Sequence, residues 1–229
     1  MPAKIITIFN QKGGCAKTMT AMQLAGSLGL NGLKVFVIDM DPQNTASLWF
    51  HQAKPEHPFP AEVLSLSVLK ENFLDKLEPL IVKADVILID CPPSVESRVP
   101  WFSLMASDLA LIPVIPLLDN IWASKQAEQL VLEARQMRAS KGIKTELQAA
   151  YVLSMVRRGK VLESCEEALK KAANVTILKS KMSMRNAYPE CQLYGCVVTS
   201  FGQSEATREL NSLTKEVAGK LGLKLSIKK

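Results

Sequence analysis

Lys4-Ile5-Ile6-Thr7-Ile8-Phe9-Asn10-Gln11-Lys12-Gly13-Gly14-Cys15-Ala16-Lys17-Thr18 is the stretch on which the fold turns. An apolar, largely β-branched run reads as a strand and stops at a glycine pair. Lys17 to Asn31 then reads as a helix, with Asn31-Gly32 as its stop signal. Strand, tight loop and helix N-terminus in that order make an anion site. Loop N–H groups point inward and the helix dipole adds positive potential. Gly13 and Gly14 let the backbone curl around phosphates because no Cβ intervenes. Lys17 is placed to reach the outer phosphates, and the Thr18 hydroxyl to ligate Mg²⁺.

Two further strands end in carboxylates. Val35-Phe36-Val37-Ile38 runs into Asp39-Met40-Asp41-Pro42-Gln43, and Val86-Ile87-Leu88-Ile89 runs into Asp90-Cys91-Pro92-Pro93. Ligands of open α/β sheets sit at the carboxyl ends of strands, so these acids fall beside the glycine loop. Carboxylates near a metal–phosphate hold metal-bound water or orient the attacking water. Asp39 and Asp90, with Thr18, are the metal candidates, and the Asp39–Asp41 pair is open to either task, holding metal-bound water or orienting the attacking water. Asp41 or Asn44 also reads as the cap of the next helix.

The loop departs from the standard G-x-x-x-x-G-K-[ST] pattern, whose two glycines fall on Gln11 and Ala16. It fits the deviant form K-G-G-x-[GA]-K-T, with a second lysine at Lys12, and so resembles the ParA/MinD group of P-loop ATPases. D-x-D-P-Q at 39–43 and D-C-P-P-S at 90–94 are similar to that group too. The resemblance implies ATP and Mg²⁺ as ligands, with Lys12, Gly13, Gly14, Cys15, Ala16, Lys17 and Thr18 around the nucleotide. It implies that Lys12 crosses to the partner subunit's nucleotide in an ATP-bound homodimer, and that Asp41 is needed for hydrolysis. Lys12, Lys17 and Asp41 are the catalytic expectations. Ala16 in the glycine position asks for an ordinary helical backbone there.

The chain has 229 residues, 48% of them hydrophobic, enough for one α/β domain over residues 1–229 with a full core. No apolar run is long enough to span a membrane, and residues 1–4 leave no room for a signal peptide before the first strand. Five cysteines without metal-ligand spacing suggest reduced thiols in a cytosol, and the resemblance makes that a bacterial cytoplasm. Net charge is +6 but uneven. Residues 1–140 carry 12 basic against 14 acidic side chains, and residues 141–229 carry 16 against 8. A basic half suggests a polyanion surface, with Arg157, Arg158, Lys179, Lys181 and Arg185 as the DNA-binding expectations and Lys228 and Lys229 as a reserve.

Further strands are expected near 62–66, at 109–114, at 146–155 and at 175–178. Helices are expected near 69–82, 121–140, 159–173 and 204–221. Ile112-Pro113-Val114 with Pro116 and Asp119 resembles the family segment leading into a dimer-facing helix, on which Trp122 fits a core or interface position. Residues 53–60 form a proline-rich connector, His51 and His57 read as surface residues, and Ser154 falls near the expected base pocket. The expected architecture is an α/β P-loop NTPase whose mostly parallel, twisted sheet of five or six strands is flanked by helices on both faces.

The resemblance as a whole implies a DNA-partition ATPase, nucleoid- or plasmid-associated. It would dimerise on ATP, bind DNA without sequence preference and be stimulated by a centromere-binding ParB-type or small DNA-binding adaptor. Alternatives are a ParA-like ATPase positioning another cargo or assisting plasmid transfer, a nucleotide-gated scaffold, and a MinD-like membrane ATPase anchored by residues 213–225. A membrane partner is not the expectation, since that segment lacks bulky aromatics.

Overall fold

A computed structural model describes residues 2–93, 96–171 and 174–226. Seven strands form one sheet in the order β3-β2-β4-β1-β5-β6-β7, every pairing parallel. The strands are β1 (Lys4–Ile8), β2 (Val35–Asp39), β3 (Glu62–Ser65), β4 (Val86–Asp90), β5 (Leu109–Val114), β6 (Gln148–Val156) and β7 (Thr176–Ser183). The helices are α1 (Lys17–Leu30), α2 (Thr45–His51), α3 (Leu74–Ile81), α4 (Val99–Ala106), α5 (Leu118–Ser140), α6 (Lys160–Lys170), α7 (Ala187–Tyr194) and α8 (Glu205–Leu221).

The central strands are apolar at nearly every position because both faces are covered. Alternation assigns the faces. Ile6, Ile8, Val86, Leu88, Leu109 and Leu111 join α1, α2, α7 and α8 in one core. Ile5, Ile87, Ile89, Ala110 and Ile112 join α3 to α6 in the other. Strand register then sets the site. Ile8 pairs with Asp90, and Asp90 with Asp39, so three strand ends lie side by side. By parity both carboxylates fall on the α1 face.

The elements depart from expectation where local chemistry competes. Residues 67–73 form a 3₁₀ segment, broken at Lys70 (φ 48°), ahead of α3, in place of a single helix from 69. The last strand extends to Ser183, so Lys179 and Lys181 lie on an edge strand. Helix α6 ends at Lys170, and the expected end at Ala173 lies outside the described residues. Helix α5 begins a turn earlier than expected, at Leu118. Trp122 on it is 66% exposed and not in the core. The α2 cap differs as well: neither Asp41 nor Asn44 caps it, and the Ser47 amide donates to Asp39 Oδ2 at 2.9 Å. His51 and His57 are exposed, and the cysteines are free among the described residues. The α8 residues Leu213, Val217 and Leu221 pack into the core, so the amphipathic pattern there serves packing. Among the described residues no helix is long and apolar enough to cross a membrane.

The proline-rich connector packs on α1. A Cβ at Gly29 would meet the Pro60 carbonyl oxygen at 1.7 Å. Gly29→Ala gains roughly 1 kcal/mol of helix propensity but forces a backbone clash of the kind that costs about 1–3 kcal/mol or more. The expected outcome is a lower melting temperature by calorimetry, against the rise that propensity alone would give.

Candidate nucleotide site

The loop after β1 is held from both sides. Phe9 N–H donates to Leu111 O at 3.2 Å, Asn10 Nδ2 to Pro113 O at 2.9 Å, and Lys12 N–H to Asn10 Oδ1 at 3.2 Å. Gly13 and Gly14 are exposed at the turn, Gly14 with φ 70°. Ala16 does not have the expected helical backbone. Its φ of 69° and ψ of 28° are left-handed, because the chain must reverse sharply before α1. A residue with a Cβ is strained there by about 1–2 kcal/mol, which is why glycine commonly fills this position.

Lys17 is 6% exposed and folds back over the loop. Its Nζ donates to Lys12 O at 3.0 Å and lies 3.7 Å from Cys15 Sγ. Lys12 forms an ion pair with Asp119 at the start of α5, and that pairing holds the Asp119 carboxyl below the usual range. The sequence puts Asp119 in a family-like segment, but only the fold shows that it faces the second lysine.

The two buried acids are in different states. Asp39 accepts from the Asp41 amide at 3.2 Å and from the Ser47 amide and hydroxyl, each at 2.9 Å. Burial pushes its carboxyl up, and the Ser47 bonds oppose the rise. Asp39 is thus occupied in holding α2 and the Asp41 turn, a task the sequence did not reveal. Asp90 is fully buried, and neither oxygen has a full hydrogen-bond partner among the described residues. Burial pushes its carboxyl up to about 7, and the nearby Thr18 hydroxyl tempers the rise without reaching full bonding geometry. Asp41 is half-buried, its Oδ1 taking the Gln43 amide at 2.9 Å.

Ser154 is buried on the α1 face, 3.4 Å from the Thr20 hydroxyl. The neighbouring residue Met155 has φ 52° where β6 slips register against β7. A cleft of 530 Å³ opens beside it, lined by Leu117, Met155, Arg157, Arg158, Val161 and Met184 among others. The expected DNA-binding residues do not form one free surface. Arg157 and Arg158 are exposed at the end of β6, Arg157 Nε lying 3.0 Å from Met184 Sδ. Lys179 is exposed on β7. Lys181 pairs with Glu166, and Arg185 pairs with Glu205 and Glu209, each at 2.7 Å. Lys228 and Lys229 lie outside the described residues.

Residues 6–225 match the family model described as the CobQ/CobB/MinD/ParA nucleotide binding domain. The chain belongs to this family. Within the ParA/MinD family it is 25% identical to the maintenance of carboxysome distribution protein A of Halothiobacillus neapolitanus over 217 residues. That match covers 93% of this chain and 95% of that protein. It is 31% identical to the chromosome partitioning protein ParA of Myxococcus xanthus over 147 residues, covering 48% of this chain and 52% of that protein. A Cyanothece McdA variant solved in complex with ATP shares the fold with a TM-score of 0.74 at 20% identity, covering 97% of each chain.

In the ligand-free protein the buried Asp90 has a pH signature. Its folded value lies above the ordinary one, so its contribution is most favourable at acid pH and is lost as pH rises through about 7. Asp90→Asn is expected to raise thermal stability by an amount that grows from about pH 4 to about pH 7 and is level above, in keeping with the ordinary and shifted values. Melting curves of both proteins over that range, without nucleotide or metal, check this.

Proposed function

We propose that this chain is a positioning ATPase of the DNA-segregation type. It binds ATP with Mg²⁺ at the glycine loop, dimerises, and holds DNA without sequence preference until a partner protein stimulates hydrolysis. The observation that carries the nucleotide reading is Asp90: a fully buried carboxylate whose two oxygens have no full hydrogen-bond partner among the described residues, in register with the loop and close to Thr18. An orphaned buried carboxylate is costly unless a cation or its bound water meets it. The residues present therefore fit a metal–phosphate.

Thr18 and Asp90 would hold the Mg²⁺, with Asp39 positioning the Asp41 turn behind them. The metal's part is to neutralise phosphate charge. The remaining work falls to the chain itself. Lys17, now satisfied by a loop carbonyl, exchanges that acceptor for a phosphate oxygen. The exposed Gly13–Gly14 backbone offers amides without side-chain obstruction. Asp41 stands on the loop after β2 and orients water. Lys12 leaves Asp119 to reach the partner subunit's phosphates.

A second reading keeps this machinery and changes the cargo. The match to a carboxysome distribution protein runs nearly end to end, whereas the match to the M. xanthus ParA covers about half of each protein. That favours a cargo other than a plasmid on the same nucleotide cycle. Following a labelled plasmid and the candidate cargo in cells lacking the gene separates the two.

Asp41→Ala is expected to keep ATP affinity by calorimetry while turnover falls by roughly 10²–10⁴-fold, the usual worth of a positioned acid or base. Turnover within a few-fold of normal would remove Asp41 from the site. Lys12→Ala is expected to bind ATP as a monomer but to lose the dimer in sedimentation with a slowly hydrolysed analogue. A normal dimer with normal turnover would leave Lys12 as the counter-ion of Asp119 only.

A further inference from the structure

Part of the basic charge of residues 141–229 is paired near the nucleotide end. Glu166 takes Lys181, Glu205 and Glu209 take Arg185, and Glu216 accepts the amides of Lys179 and Ser180. A second basic group lies at the opposite end of the sheet. There a groove of 1130 Å³ opens where β6 and β7 begin, bounded by the end of α5, the α5–β6 turn, the end of α6 and the last turn of α8. Arg135, Arg138, Lys144, Lys170 and Lys220 line it, against one carboxylate, Glu146.

These cations come in two kinds. Arg138 is 4% exposed and immobile. Its guanidinium donates to Leu104 O, Met105 O, Ser107 O and both oxygens of Thr145, at 2.9–3.0 Å. Its Nε has no partner among the described residues, and no salt bridge neutralises it there. Burial lowers the guanidinium's pKa and the nearby Asp108 carboxylate, itself paired with Lys4, opposes that; the cation lies under the groove, where solvent screens it least. Lys144 and Lys170 are exposed, and their long stems can follow a ligand. Lys220 also borders a smaller cleft in which Asp108 and Glu146 balance Lys4, so the basic surface ends there.

Cations spread over several elements do not converge on one point. They suit a row of phosphates better than a single small anion. We propose that this groove binds the phosphate backbone of DNA, at the end of the molecule away from the nucleotide. The inference rests on the DNA reading above and gives it a place that the sequence did not suggest. Nucleotide and DNA then occupy opposite ends of the sheet, so the glycine loop and Lys12 stay free to meet a second protomer while DNA is held.

The test is fluorescence anisotropy of the full chain with ATP on two unrelated duplexes over a salt series. Lys144→Glu combined with Lys170→Glu is compared with Arg157→Glu combined with Arg158→Glu and with wild type. The groove variant is expected to bind both duplexes at least tenfold more weakly. Its log K against log salt slope should flatten by about 2, at roughly 0.9 for each phosphate no longer neutralised. Its ATP affinity by calorimetry should be unchanged. Lys144→Gln with Lys170→Gln, which removes charge without reversing it, should fall between the groove variant and wild type. Normal affinity and slope in both groove variants, with loss only in the Arg157/Arg158 variant, overturns the groove and leaves the DNA reading standing. Wild type that binds neither duplex with ATP overturns both.

Discussion

The structure depends on the register that sets the ends of β1, β4 and β2 side by side. One row of backbone hydrogen bonds puts the start of the glycine loop, Asp90 and Asp39 at the same height and on the same face. A slip of one residue in β4 would turn Asp90 toward the α4–α5 face and put Ile89 beside the loop, since side chains alternate with period two. The apolar residues between prevent this. Val86 and Leu88 bury on one side, Ile87 and Ile89 on the other, so the hydrophobic pattern that builds the core also aims the carboxylate.

Within that frame the two acids divide the labour. Asp39 is satisfied by the Ser47 amide and hydroxyl and by the Asp41 amide, which ties helix α2 to the sheet. Asp90 has no such partners among the described residues, and burial pushes its carboxyl up. The loop shows the same tension between stability and readiness. Ala16 takes a backbone that suits glycine, and Lys17 rests on a carbonyl of its own loop. Strain and unmet bonding capacity collect where a ligand can relieve them.

Much of this was legible before any coordinates. The order strand, glycine loop, helix, and two more strands ending in Asp, located the nucleotide end because each cue is local: β-branched runs, missing Cβ atoms, a carboxylate at a strand tip. The pairings of charged groups were not legible. Lys12 with Asp119, Lys181 with Glu166 and Arg185 with Glu205 and Glu209 join residues from separate elements, and composition shows only their sum. The same limit hides the partner of Ser154, which strand parity turns toward Thr20 on α1. Ala16 was misread because its side chain suits a helix while its loop demands a reversal.

The central position of β1 has a consequence for how the chain comes to be folded. The strand is made first, yet its two neighbours in the sheet are residues 86–90 and 109–111. Pairings so distant along the chain close late, because loop entropy must be overcome before they are rewarded. During synthesis the Lys4–Ile8 segment therefore waits, apolar and unpaired, until almost half the protein has emerged. The glycine loop at its end gains its fixed curl only when β4 and β5 arrive. Competence to hold a phosphate thus waits for strands made about 80 to 100 residues after the loop itself.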